Sequence, residues 1–350
     1  MRELKLAFCA AAASGALFGG CHAFAKDEPH LVLLALSKAD HVLALVDPHS
    51  LKVTARIAVG TDPHEVIASP DGTRAYVSIY GSGLLHEIDV IDLVKRKPLP
   101  ALDTAPLYGP HGLAFANGKL WFTAEGSRAI GEYDPARARF DWSMGTSQIR
   151  THMIHVLPDA SQIYTTNVTS GTVSVFEHKP ISSPGYSMRA ASSSPGGVPI
   201  AGWTETVVPV TPGSEGFDVT PDGKELWTAS ANDGSIAVID LVNKKLSRRI
   251  DAGIKGANRL KFTPDGSKVI VSSLYNGDLL IYDVASRSEI KRLSLGHGAA
   301  GILVDADGKR VFVGCSLDNY IAVVDLARLE VVARINVGAV PDGLAWADVR

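Results

Sequence analysis

The chain has 350 residues, of which 46% are hydrophobic and 20% charged, with 34 Lys and Arg against 37 Asp and Glu. The net charge of −3 and the lack of a basic run argue against a nucleic-acid partner, because phosphate binding needs a concentrated basic patch. Beyond the N-terminal region no segment stays apolar for the roughly 18 residues that a membrane-spanning helix needs, so we expect no transmembrane segment.

The first 25 residues have the pattern of a secretory signal peptide. Arg2 and Lys5 give a positive start, and residues 6–18 form a short apolar run. A small-x-small pattern ends at Ala25, so we expect cleavage there and a periplasmic or secreted protein. The stretch ending at Cys21 resembles a lipoprotein signal, which makes lipidation the alternative.

One pattern then recurs about every 42 residues: a loop, a short apolar strand, a Pro-Asp-Gly-like turn and a second strand. Such turns supply the positive φ angles that a tight hairpin needs. A third strand ending in Asp and a fourth strand follow, which predicts blades of four antiparallel strands. The copies begin at Pro63, Gly109, Arg150, Ser214, Ala257, Ala299 and Pro341. We number the blades 1 to 7 in that order.

The seventh copy stops after its first strand, around Trp346. The three strands that it lacks are present at residues 31–60, before the first copy. Pairing the two ends closes the ring and removes free sheet edges. The sequence therefore predicts an all-β, seven-bladed β-propeller as a single domain over residues 26–350, closed by N-terminal strands pairing with the C-terminal strand. A β-sandwich is the structural alternative.

Two stretches, AYVSIYGSGLLHEIDVIDL and VFVGCSLDNYIAVVDL, resemble the YVTN-type β-propeller repeat. The resemblance covers the chain from about His30 onward. It implies a seven-bladed propeller, often exported, but no single activity: lactonases, copper enzymes, heme d1-binding domains and proteins without known catalysis share the architecture. Function must therefore be argued from the site.

Residues 178–202 break the repeat with a Ser-, Pro- and Gly-rich stretch that has no alternation. It reads as a surface insertion between a third and a fourth strand. Because strands alternate in direction, that connection lies on the same face as the Pro-Asp-Gly turns. We therefore expect either a partner contact or a tolerated insertion there, and not a lid over the site described next.

Aligning the copies on their turns brings one position of every blade into register, seven residues before the turn Asp in most copies. This position begins the innermost strand, so its side chains converge near the axis; we call its occupants the ring residues. Imidazole and carboxylate are the usual ligands of divalent transition metals. We predict a Zn, Cu or Fe site formed by blades 1 to 4. The ring residues are His64, His111, His152, Glu215, Asn258, Ala300 and Asp342.

Other polar residues belong to the same face. Tyr80 is a candidate proton donor, and Glu125 a candidate acceptor behind a ligand or a general base. Arg150 is a candidate anchor for an anionic group. We place these three in the catalytic set, and Asn258, Asp342 and the rim residue His297 in the set that contacts a cofactor. The alternative without a binding role is a solvated polar rim whose side chains form hydrogen bonds with ordered water.

Several other residues are expected to be structural. Trp121, Trp227 and Trp346 read as core between sheets, and His155 as a packed histidine. Once the signal is removed, Cys315 is the only cysteine, so no disulfide can form within the chain, and its apolar strand predicts a buried, inert thiol. No serine lies in a nucleophile elbow, which argues against Ser-His-Asp chemistry.

Three functions are compatible with these sequence features. The first is a metal-dependent hydrolase of the lactonase kind or a lyase, because a bound metal polarises a carbonyl or activates water. The second is a non-catalytic periplasmic binding or scaffold protein with an envelope protein partner. The third is a heme d1-type domain, although no CxxCH motif is present. In each case we expect a monomer, and in the first a small-molecule ligand.

Overall fold

Short apolar strands joined by tight turns fold here into seven four-stranded antiparallel sheets arranged as a ring. The computed structural model describes residues 30–180 and 201–349. The predicted seven-bladed β-propeller is confirmed. Within those ranges no helix has the length and apolar character needed to cross a membrane. The predicted cleavage site at Ala25 and the alternative at Cys21 lie outside the described residues.

The strands have the following bounds in chain order. The N-terminal strands of blade 7 are β1 (His30–Ser37), β2 (Val42–Asp47) and β3 (Lys52–Ala58). Blade 1 has β4 (Pro63–Ala68), β5 (Arg74–Ile79), β6 (Glu87–Asp92) and β7 (Lys97–Asp103), with a single 3₁₀ turn at Gly81–Gly83. Blade 2 has β8 (Pro110–Ala116), β9 (Lys119–Ala124), β10 (Ala129–Asp134) and β11 (Arg139–Gly145). Blade 3 has β12 (Thr151–Val156), β13 (Gln162–Asn167), β14 (Thr172–Pro180) and β15 (Ala201–Pro209).

The second half of the ring repeats this plan. Blade 4 has β16 (Ser214–Val219), β17 (Glu225–Ser230), β18 (Ser235–Asp240) and β19 (Lys245–Asp251). Blade 5 has β20 (Ala257–Phe262), β21 (Lys268–Ser273), β22 (Asp278–Asp283) and β23 (Ser288–Ser294). Blade 6 has β24 (Ala299–Val304), β25 (Arg310–Cys315), β26 (Tyr320–Asp325) and β27 (Glu330–Ile335). The last strand, β28 (Pro341–Val349), is the innermost strand of blade 7.

Blade 7 closes the ring as predicted. Strand β28 pairs antiparallel with β1, with Trp346 opposite Leu33 and Leu344 opposite Ala35. The Trp346 indole donates from Nε1 to the Val304 carbonyl of blade 6 at 2.8 Å, so it also ties the closing strand to its neighbour. The closed ring leaves no innermost strand unpaired.

The hydrophobic core lies between the blades. Alternate residues of each strand face a neighbouring sheet, and seven buried clusters join the blades pairwise, one at each interface in the described chain. Trp121 and Trp227 are buried in these interfaces and Trp346 packs against one of them, as expected. Cys315 is buried as well, and burial raises the pKa of its thiol to about 11, so the thiol stays protonated and unreactive.

The predicted insertion is partly strand. His178 pairs with Trp203 and Pro180 with Ala201, so both ends of the 178–202 stretch extend the β14–β15 hairpin. Residues 181–200 lie outside the described residues. The hairpin projects from the face that carries the turns between first and second strands, opposite the ring residues.

Candidate functional site

The seven ring residues meet at one mouth of the channel. Each is the second residue of an innermost strand, and all seven line a cavity of about 460 Å³. The register between first and second strands shifts at this point in every blade, between Pro63 and Val66 in blade 1, for example. Such β-bulges put two residues opposite one and re-aim a side chain. The bulge therefore turns the ring residues toward the axis.

A second backbone feature, a left-handed residue, precedes each ring residue. The residue two positions earlier has a left-handed backbone in all seven blades. Glycine adopts this conformation freely, whereas other residues incur a cost of roughly 1–2 kcal/mol. Four blades have glycine there, and three have Asp62, Arg150 and Val340 instead, with φ angles of 57°, 58° and 55°. All three of these side chains lie at the site, which is where local strain commonly collects.

The three histidines converge as predicted. His64 Nδ1 lies 3.1 Å from His111 Nε2, and the His111 and His152 rings are 3.7 Å apart between centroids. His111 and His152 are almost fully buried. Burial lowers the pKa of His64 to about 4, and burial together with the neighbouring His152 lowers the pKa of His111 well below 6.5. Both imidazoles are therefore neutral near pH 7, which is the state that binds metal.

Glu125 lies behind the histidines and is held by three donors. His152 Nδ1 lies 2.6 Å from Glu125 Oε2, and the Tyr80 hydroxyl and Arg150 Nε donate to Oε1 at 2.5 and 2.9 Å. Burial alone would raise the pKa of Glu125, but the hydrogen bond and charge of His152, with Tyr80 and Arg150, lower it to about 2. A carboxylate so stabilised is a poor general base near pH 7. Of the two roles considered for Glu125, the geometry favours the acceptor that orients His152.

Glu215 faces the other side of His152. Glu215 Oε1 lies 3.4 Å from His152 Nε2 and 3.7 Å from Arg150 Nη2. The Asn258 amide donates to Glu215 Oε2. His152 therefore lies between two carboxylates. Its contact with Glu215 is closed either by a proton on Nε2 or by a bound cation.

The floor of the channel is formed by an ion pair that the sequence analysis did not predict. Glu65 and Arg259 each follow a ring residue, and Glu65 Oε1 lies 2.6 Å from Arg259 Nη2. Arg259 is buried and Glu65 is largely so, and burial raises the pKa of Glu65 although the Arg259 guanidinium opposes this. At the same strand position Gly301 has no room for a side chain, because a Cβ there would lie 2.1 Å from the Asp342 carbonyl oxygen.

A lysine completes the polar ring from blade 7. Lys38 Nζ lies 2.8 Å from His64 Nε2 and 3.4 Å from Asp342 Oδ2. Asp62 Oδ1 lies 3.0 Å from the same His64 nitrogen. The lysine therefore holds the Asp342 and Asp62 carboxylates near the outer side of His64.

One buried ring nitrogen has no partner. Among the side-chain nitrogen and oxygen atoms buried in residues 30–180 and 201–349, His111 Nδ1 alone forms no hydrogen bond. Buried polar atoms are seldom left in this state unless a water, ion or ligand belongs beside them. In the same ranges no three His, Cys, Asp or Glu side chains form a ready-made metal-binding group. The predicted ligands are thus close neighbours that stand as two pairs, His64 with His111 and His152 with Glu215.

The opposite wall of the cavity is mostly apolar, with Asn258, Arg259 and Ser316 as its polar members. Blades 5 and 6 contribute Leu274, Tyr275 and Leu317, and Val340 leads into the last strand. Tyr275 and Leu317 are 69% and 70% exposed, so the rest of the described protein does not cover them. With Ala300 below, these side chains give the mouth one polar and one apolar side.

The predicted site residues are mostly placed together. The cavity is lined by eight of them: His64, Tyr80, His111, Arg150, His152, Glu215, Asn258 and Asp342. Glu125 lies behind them, in contact with three. His297 does not belong to the set: its side chain is 73% exposed, does not line the cavity and contacts Asp318, with Nδ1 3.1 Å from Oδ1. His155 stacks on Tyr164 away from the mouth.

Comparisons with known proteins show similarity in fold alone. No protein-family model matches the chain, and no curated protein matches it. It is similar to a Desulfotomaculum acetoxidans protein of unknown function (13% identity, TM-score 0.71, covering 91% of this chain and 99% of that one). It is also similar to Kuenenia stuttgartiensis hydrazine synthase (17% identity, TM-score 0.68, covering 90% of this chain and 100% of that one). A third similar structure is a Bacteroides uniformis protein described as a candidate 6-phosphogluconolactonase, with 13% identity and a TM-score of 0.72. The match covers 91% of this chain and 100% of that one. Identities this low show a shared fold alone, and membership of the YVTN family stays a prediction.

Proposed function

We propose that the channel mouth binds a divalent transition-metal ion through His64, His111, His152 and Glu215, and uses it for hydrolysis or elimination on a small molecule. The observation that carries the proposal is the contact of His152 Nε2 with Glu215 Oε1 at 3.4 Å, which a cation can bridge. The neutral state of His64 and His111 gives further support.

The pair distances suit this role. Two ligands of one tetrahedral ion with bonds of about 2.0–2.1 Å stand roughly 3.3 Å apart. The His64–His111 nitrogens are 3.1 Å apart and the His152–Glu215 atoms 3.4 Å apart. Since the described residues hold no group of three, binding requires the two pairs to draw together by side-chain rotation.

The surrounding residues have separate tasks in this proposal. Glu125 fixes the His152 ring so that Nε2 points into the mouth, as carboxylates behind metal-binding histidines do. Burial and the hydrogen bond to Glu125 raise the pKa of Tyr80, so its hydroxyl stays protonated and is a proton donor, not a base. Arg150 contacts both Glu125 and Glu215 and provides a positive group beside the cavity. A bound metal would supply Lewis acidity and an activated water.

A second candidate is a metal-free binding protein. Lys38 Nζ already lies 2.8 Å from His64, and the carboxylates of the mouth are engaged by Lys38, Arg150, Arg259 and Asn258. Such a network satisfies the carboxylates without a metal ion, as expected of a polar rim that binds a ligand or a partner. None of these contacts favours the heme d1 alternative.

Metal analysis separates the two candidates. Protein purified without a His tag is loaded with Zn²⁺ or Cu²⁺, dialysed and assayed by mass spectrometry for metal. We expect about one equivalent per chain, lost in the His64→Ala/His111→Ala double variant. His297→Ala is the matched control, because that imidazole lies outside the cavity. Absence of stoichiometric metal, together with a melting temperature that neither ion changes, would favour the metal-free protein.

A further inference from the structure

The two sides of the mouth differ in chemistry. Blades 1 to 4 present imidazoles and carboxylates, whereas the exposed rim of blades 5 and 6 presents Leu274, Tyr275 and Leu317 above the polar Asn258, Arg259 and Ser316. Cavities that bind small molecules are commonly 300–1,000 Å³ and combine an apolar surface with a few placed polar groups. The mouth, at about 460 Å³, has that size and that division.

Val340 is the most informative residue of the apolar side. Its φ of 55° is unfavourable for a β-branched residue, and four other blades have glycine at the same position. The side chain is only half-buried, so packing within the protein explains little of its presence. It lines the cavity, where an apolar ligand would cover it.

The exposed side chains beside Val340 also indicate an apolar ligand. Tyr275 and Leu317 are 69% and 70% exposed at the rim of the cavity. They flank Ala300, the one ring position without a polar side chain. Polar groups for a reacting head and apolar groups for a body are thus present on opposite sides of one space.

We infer that the natural ligand is a small amphiphilic molecule, with a polar carbonyl-type group toward the histidines and an aliphatic or aromatic body on Val340, Tyr275 and Leu317. The inference deepens the proposed function by naming its substrate class. The polar group is the part on which hydrolysis or elimination would act, and the apolar side selects the molecule by the length of its body.

The test uses γ-lactones whose alkyl side chains lengthen from none to hexyl, with binding to the full chain measured by calorimetry in the presence of a chelator. Each methylene buried on the apolar side should raise affinity about fourfold, with a plateau once the chain passes the rim. In a Tyr275→Ser/Leu317→Ser variant the gain per methylene should fall below twofold. Leu84→Ser is the control, since Leu84 is 76% exposed and does not line the cavity.

Two outcomes would overturn the inference: affinity independent of chain length, or a dependence that the double variant leaves unchanged. Metal binding by the same proteins is measured separately. A chain-length dependence without metal would preserve the ligand class and contradict the metal proposal, whereas stoichiometric metal without such dependence would do the reverse.

Discussion

Glu65 and Arg259 form a buried ion pair across the ring, with Oε1 2.6 Å from Nη2, although they belong to blades 1 and 5. The pair lies one residue below the ring residues and forms the floor of the mouth. Arg259 Nη1 also lies 3.8 Å from Glu215 Oε2, so the floor is connected to the candidate site.

Breaking this pair should be costly, because it removes the nearest counter-charge of a buried guanidinium. We expect Glu65→Gln to lower the free energy of unfolding by about 3 kcal/mol. A Glu65→Leu/Arg259→Met double variant should recover part of that loss. The measurement is urea unfolding, with Glu330→Gln in the exposed pair with Arg328 as a control that changes it by less than about 1 kcal/mol. Equal losses in both pairs would contradict the interpretation.

The strain at Val340 predicts an unusual order of stability. Both Val340→Gly and Val340→Ala remove the isopropyl group, but only glycine adopts a φ of 55° freely. We expect the glycine variant to be more stable than the alanine variant by about 1 kcal/mol, measured by urea unfolding. Elsewhere in a strand alanine would be favoured. If alanine proves better here too, the left-handed backbone is not retained in solution.

The packed histidine predicts a pH effect. Burial lowers the pKa of His155 below 6.5, with Asp218 acting in the opposite direction. Below pH 6.5 the unfolded chain therefore binds a proton that the folded protein resists, so stability is lost as pH falls from 6.5 toward the folded pKa. His155→Phe should lose less stability than the wild type over that interval, in unfolding experiments with a chelator. Parallel losses would mean that His155 is well solvated.

Ring closure depends on the last strand. Truncation after Val340 removes β28, leaving one edge of β1 unpaired and the ring open. We expect loss of the cooperative thermal transition and association of the chain, measured by circular dichroism and light scattering. Trp346→Phe keeps the strand and the contact with Phe312, and should still melt cooperatively. A truncated chain that melts like the wild type would show that blade 7 is dispensable.

The carboxylate behind His152 should tune metal binding. Glu125→Gln keeps an acceptor for His152 Nδ1 but removes the charge, and we expect metal affinity to fall at least tenfold in a titration with a competing chelator. Glu205→Gln is the control, because this carboxylate contacts Ser174 in the outer part of blade 3. Unchanged affinity in Glu125→Gln would remove Glu125 from the site.

Much of this arrangement could be read from the residues alone. The distance from each ring residue to its turn is nearly constant, and a strand of set length places its first residues at one end of the sheet. That regularity predicted that His64, His111, His152 and Glu215 meet at one mouth. The unfinished seventh copy likewise predicted the pairing of β1 with β28, because an open ring would leave both edges without partners.

Contacts across the channel are decided by the tertiary structure. A repeat tells which blade carries Glu65 or Arg259, but whether their side chains reach each other depends on the bulges and on the channel width, which no local pattern records. His297 was expected at the mouth and instead contacts Asp318, because the direction of a loop side chain is set by its nearest partner. Periodicity arises from neighbours along a strand, whereas the chemistry of the mouth arises from residues that meet only after seven sheets have closed into a ring.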